Sequence, residues 1–166
     1  MADPAFGSQV VVTVDFESAW GTAKVTPVGK KIGVTQCAIV PTQALLDNPT
    51  LRGDFNPSDA ATGRKSCQGP LNLVGNVAVM PFISKWLTGT LVKTGAADPW
   101  LATSKLGTTK PGSAIVELDI DIAGTHKYAL ASGCRINSLT IPISFEGFLA
   151  LSMDIMAKDS AIGAVA

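Results

Sequence analysis

Apolar and polar residues alternate with a period of two along much of this chain, most completely over residues 115–122. Ile115, Glu117, Asp119 and Asp121 fall on one side, and Val116, Leu118, Ile120 and Ile122 on the other. That alternation predicts a β-strand with one dry face and one face that is almost entirely acidic. Ala123-Gly124-Thr125 supplies a hairpin turn, and the return strand starts over 127–130. Ser132-Gly133 and Gly147 then read as breaks, with further strands over 134–145 and 148–157. Upstream, 9–16 alternates as a first strand and 32–40 as a second. Pro41 ends the second by removing a ladder donor, and 71–80 forms a third.

Two stretches lack any such period. Residues 17–31 form a loop holding Trp20-Gly21 and Pro27. Residues 42–68 carry Pro49, Gly53, Pro57 and Gly63 among several Asn and Asp residues. The second stretch is too long for an ordinary connection and too polar to build its own core. It is expected to be a long loop or arm, mobile in a free subunit and ordered by a partner. Residues 93–112 are read as another loop. Between them, Phe82, Ile83, Trp86, Leu87 and Leu91 recur at spacings of three and four behind Pro81, which predicts a short amphipathic helix over 81–92. The expected fold is mainly β. It is an antiparallel β-sandwich or half-barrel, one domain over 1–166, with one short flanking α-helix and a long loop arm.

Composition changes this picture in one respect. Lys plus Arg and Asp plus Glu both number 13, for a net charge of zero, and only 16% of residues are charged. With a mean hydropathy of +0.31, the surface is short of charge for a free monomer. No apolar run is long enough for a membrane span, so the hydrophobic excess points to buried interfaces between subunits. A nucleic-acid binder would show a basic stripe, and none is present. The N-terminus has neither a basic n-region nor a long apolar stretch, so no signal peptide is expected. Cys37, Cys67 and Cys134 are odd in number and widely spaced, which fits small buried hydrophobes in a reducing compartment.

Candidate chemistry is sparse. His126 is the single histidine, placed at a turn, so no His-based dyad or triad can be completed. No Cys-x-x-Cys or second His offers a metal site. Glu117, Asp119 and Asp121 share a strand face but stand about 6.5–7 Å apart along it, too splayed for tight chelation. Gly29-Lys30-Lys31 lacks the glycine spacing of a phosphate loop. Neither an enzyme nor a cofactor is expected.

Two short motifs carry a resemblance: Glu17-Ser18-Ala19-Trp20-Gly21-Thr22 after the first strand, and Ser132-Gly133-Cys134-Arg135-Ile136-Asn137-Ser138-Leu139. With the order of strands, long loop and helix, they make the chain similar to the tail tube (major tail) proteins of long-tailed bacteriophages. Some of those are about twice as long, with a second similar half, and this chain could correspond to a first half. The resemblance implies a structural virion protein that pairs with itself in rings, hexameric or trimeric, stacked into a hollow tube. Other tail proteins would meet the tube ends, and phage DNA would pass through on ejection without specific binding. No membrane partner is implied. Assembly would take place in the host cytoplasm. The Glu117, Asp119 and Asp121 row would then face either the lumen or outside solvent. The competing expectation is a non-catalytic β-sandwich that binds a host surface or carbohydrate. It calls for clustered exposed aromatics, whereas Trp20, Trp86 and Trp100 are scattered over loop and helix.

Overall fold

Antiparallel pairing gathers the alternating segments into one nine-stranded sheet, seen in a computed structural model that describes residues 10–22, 29–46, 61–95, 101–106, 110–122, 124–143 and 147–163. In chain order the elements are β1 (Val10–Phe16), β2 (Lys30–Ile32), β3 (Val34–Cys37), β4 (Val40–Leu46) and β5 (Ala61–Val74). They continue with α1 (Met80–Thr88), β6 (Val92–Thr94), β7 (Leu101–Thr103), β8 (Ala114–Ile122), β9 (Thr125–Thr140), β10 (Ala150–Ala157) and β11 (Asp159–Gly163). The spatial order is β2-β1-β8-β9-β10-β5-β3, with β11 added to β9 and β4 to β5; β6 and β7 pair separately.

β9 makes the sheet curl. Its first half pairs with β8 and β11, and its second half with β10. Ala114 faces Cys134 while Val116 faces Ala131, so β9 carries one more residue than β8 over that interval. This is a β-bulge, which bends and twists its strand. Gly133 sits in the bulge at φ 68°, and a Cβ there would come within 2.7 Å of the Lys158 Cβ. Only glycine fits both the left-handed backbone and the close approach. Opposite it the chain breaks between β10 and β11 at Lys158, whose N–H donates to the Ser132 carbonyl at 2.9 Å.

The curled sheet closes over an apolar core. Val12, Val14 and Val116 come from one half, and Leu71, Leu73, Leu151, Met153 and Ile155 from the other. α1 caps this core. Ile83 and Trp86 are buried, and the Trp86 indole N–H donates to the Cys134 carbonyl at 3.2 Å, so its polar atom is satisfied inside. The helix starts where the Asn76 side chain accepts the Val79 N–H, with Pro81 in its first turn. It stops at Gly89, left-handed at φ 81°, whose N–H returns to the Lys85 carbonyl.

Several expectations need correction. The helix ends at Thr88, so Leu91 lies beyond it, Val92 belongs to β6, and Leu87 faces solvent. Residues 93–112 contain β7 as well as loop. The second strand is three strands, and Pro41 lies inside β4 opposite Cys67; β4 is an edge strand, the place in a sheet where proline is tolerated. The supposed loop over 42–68 is instead an antiparallel ribbon of β4 and the start of β5, with 47–60 outside the described residues. The third strand is therefore longer at its start and ends at Val74. Ser132-Gly133 bulges β9 without breaking it. β9 ends at Thr140, the last long strand starts at Ala150, and β11 was not anticipated. Ala123, Phe145 and Trp100 lie outside the described residues.

Candidate functional site

The acidic row stands on the outer face of β8, with side chains of β1 and β9 on either side. Glu117 is opposite Thr13 and Leu130, Asp119 opposite Val11 and Tyr128, and Asp121 opposite His126. Directly opposed residues of an antiparallel pair share a face, so the row lies in the middle of a wall rather than at a rim. Its carboxylates are unequal. Asp119 Oδ1 is 2.9 Å from His126 Nδ1, a diagonal cross-strand pair that holds the imidazole pKa above its ordinary value through the hydrogen bond and then the charge. Asp121 Oδ1 accepts the Gly124 N–H at 2.8 Å and so closes the hairpin turn. Partial burial, reinforced by the Asp119 charge, pushes the Glu117 carboxyl pKa upward. The Tyr128 ring stacks on His126 at 6.0 Å. His126, read from the sequence as a lone histidine at a turn, is exposed and also belongs to the acidic face. The signal was the hairpin register, which sets residue 126 opposite 121 and diagonal to 119. Among the described residues, no three His, Cys, Asp or Glu side chains converge as a metal cage.

The two motifs behind the family resemblance meet in space. Glu17 Oε1 accepts the Gly133 N–H at 2.7 Å, while Oε2 accepts the Gly21 N–H at 2.8 Å and the Ser113 hydroxyl. The Trp20 indole N–H donates to the Gly133 carbonyl at 3.3 Å, and its ring lies under Lys158 at 5.2 Å and Arg135 at 5.9 Å. One carboxylate therefore ties the turn after β1 to the bulge that bends the sheet. Charge-assisted bonds to backbone N–H groups are among the stronger hydrogen bonds available for such a tie.

The other half of the sheet has a different outer face. Asn72 donates to Gln36 at 2.8 Å and accepts from the Ser152 hydroxyl at 2.7 Å, and Asn137 donates to Asp154 at 2.9 Å. Sequence reasoning missed this polar ladder, because its members come from β3, β5, β9 and β10. Beyond it projects the β4–β5 ribbon. All of β4 is exposed, including Leu45 at 70% and Leu46 at 56%. At the root of the ribbon an apolar cleft of about 220 Å³ opens between Cys37, Ile39, Val40 and the inner residues Val116, Leu118 and Ala129. A second hollow of about 350 Å³, lined by Val10, Val34 and Ile120, shares Cys37 and Leu118 with it.

Solved structures share this architecture. The chain is similar to the sheath/tube terminator of an extracellular contractile injection system, PVC, with a TM-score of 0.65 at 12% identity over 98% of both chains. It is also similar to a chain of the anti-feeding prophage baseplate, with a TM-score of 0.63 at 10% identity over 99% of both. The SPP1 tail tube matches with a TM-score of 0.59 at 11% identity over 97% of this chain and 80% of that one. These likenesses establish the fold. No curated protein is similar to the chain in sequence. A family model for phage tail tube proteins matches residues 7–166, nearly the full length. The chain belongs to the phage tail tube protein family.

Proposed function

We propose that copies of this chain join edge to edge in rings, and that the rings stack into the hollow tube through which a phage genome passes on ejection. The observation that carries this reading is the open sheet. β2 bounds it at one end and β3 with β4 at the other, and among the described residues nothing pairs with their outer edges. Exposed edges invite pairing with another chain, and a ring of subunits removes them. The structure of the anti-feeding prophage baseplate was symmetrised sixfold, which favours six copies per ring. Other tail proteins would close the ends, as the terminator and cap among the similar structures do in their own assemblies. The subunit would assemble in the host cytoplasm and end in the virion tail, with no catalytic step and no cofactor.

In this reading Glu117, Asp119 and Asp121 face the lumen. Ring symmetry multiplies them into a negative band that acts on DNA within about 8 Å at physiological salt. Repulsion keeps phosphates from settling on the wall, since phosphate contacts with cations are what make DNA adhere. The rival surface is the polar ladder of Gln36, Asn72 and Ser152 on the other half of the sheet.

Electron microscopy of the purified protein tests the assembly: rings or hollow tubes are expected, and a strict monomer at high concentration would end the proposal. Replacing Glu117, Asp119 and Asp121 together with Lys tests the lumen assignment. Tubes should still form, because an outward strand face tolerates polar exchange, but genome release should fail as DNA adheres. Normal release would transfer the lumen to the polar ladder.

A further inference from the structure

We infer that the chain plugs its own apolar trough: Pro4-Ala5-Phe6 turns back from the start of β1 and seats the Phe6 ring between β3 and β8 of the same copy. The inference goes beyond the tube reading and does not depend on it.

The trough is the seam where the two halves of the curled sheet part. β2 lies along β1 from Val12 to Val14, and after Gly33 the chain leaves β1 to pair β3 with β5. Among the described residues, Val10 and Val11 therefore have no strand beside them on that side. Val10 and Val34 wall the hollow of about 350 Å³, which runs into the cleft of about 220 Å³ through Cys37 and Leu118. Ile120 and Val116 continue the apolar wall.

Ser160 Oγ interrupts this surface. It belongs to the cleft lining and is buried with no hydrogen-bond partner among the described residues. A buried hydroxyl left unpaired is costly, and native structures almost always supply a partner. The occupant must therefore be largely apolar and still bring a polar group, as a stretch of backbone does.

Residues 1–9 match on three counts. They join the chain at Val10, itself a wall of the hollow. Phe6 is their one aromatic residue and Asp3 their one charged side chain. An apolar cavity of about 150 Å³ takes a benzene ring, so a cleft of about 220 Å³ has room for the phenyl group. The reach also suffices. Val10 is opposite Ile120, two residues along β8 from Leu118, which puts the cleft roughly 7–9 Å away. The four residues back to Phe6 span up to about 13 Å, and Gly7-Ser8 supplies the reversal. So short a tether holds Phe6 near its own trough at an effective concentration on the order of millimolar. In dilute solution a second copy cannot compete with that.

Cys37 stands on the wall that both hollows share and is half-buried, while Cys67 and Cys134 are buried. The test labels dilute purified protein and its Phe6→Ser variant with iodoacetamide at one pH. Cys37 should react about tenfold faster or more in the variant, the factor that burial of one aromatic ring puts on an opening equilibrium. Cys67 and Cys134 serve as the control for folding and should stay unlabelled in both. As a second variant, Phe6→Cys treated with oxidised glutathione should close a disulfide with Cys37 inside one chain. It should run as monomer on a non-reducing gel, and Cys37→Ala should abolish the bond. Equal labelling rates would overturn the inference even if that disulfide formed, because oxidation can trap a rare contact. Disulfide-linked dimers or longer products in place of the monomer would overturn it in favour of a trough filled by another copy.

Discussion

The bulge at Gly133 and the ribbon of β4 and β5 are opposite solutions to the same problem, a strand that leaves the regular sheet. At the bulge, departures from regular pairing are answered within the chain. Glu17 accepts the Gly133 and Gly21 N–H groups, Trp20 covers the Gly133 carbonyl, and the Ser132 carbonyl takes the Lys158 N–H. Along the ribbon every residue of β4 is exposed, Leu45 and Leu46 stand more than half open to solvent, and the strand carries no charge to keep it soluble. One region is finished by folding. We propose that the other is finished by assembly. The low charge of the whole sequence belongs to the second kind of surface.

This contrast can be broken from the folded side. Trp86→Ala empties the centre of the core and removes the indole donor from the Cys134 carbonyl, and should cost about 3–5 kcal/mol in denaturant unfolding of the free subunit. If unfolding is unchanged but tubes are lost, Trp86 serves an interface and the core extends less far than described. Gly133→Ala strains the left-handed backbone and drives a methyl into Lys158 and Trp20, with an expected cost of about 1–3 kcal/mol. An unchanged midpoint would show that the bend does not require a glycine at position 133. On the ribbon, Leu45→Ser with Leu46→Ser should shift subunit stability by no more than about 0.5 kcal/mol, as exposed substitutions do. Sedimentation of the same variant should show tubes lost or greatly reduced. A large stability change would mean that the ribbon folds back onto its own subunit.

The same contrast explains what was legible in the sequence. β8 could be read because one of its faces is dry and the other charged, and the helix because Ile83 and Trp86 sit in the core. Tail-tube architecture was accessible through the two motifs, although nothing in their spacing revealed that Glu17 and Gly133 touch. β4 was illegible because both of its faces are exposed in the single subunit, and without an inside there is no alternation to read. Gly133 misled for the opposite reason: a glycine required by close packing in a continuous strand has the same local signature as one that ends it. β11 is short, and it pairs with β9 only next to the bulge at Gly133, which the local pattern did not disclose. At the acidic face the row itself was visible, whereas the partners that differentiate its members come from another strand.

The smallest expected effect lies on that face and concerns pH. His126 has a folded pKa raised above 6.5, first by its hydrogen bond to Asp119 and then by the charges of Asp119 and Asp121. A histidine with a raised folded pKa contributes stability that is fully present below its unfolded value. That contribution is lost as pH climbs through the folded value. The exposed pair should therefore help at about pH 5.5 and contribute nothing at about pH 8.5. His126→Gln removes the titration while keeping a polar side chain in the turn. Its unfolding midpoint should fall slightly below wild type at the lower pH and coincide with it at the higher. An NMR titration of the single imidazole should show a midpoint above the ordinary histidine value, lowered by Asp119→Asn. If the midpoint does not move, Asp119 does not hold His126, and the three carboxylates of the row act as equals toward whatever passes the wall.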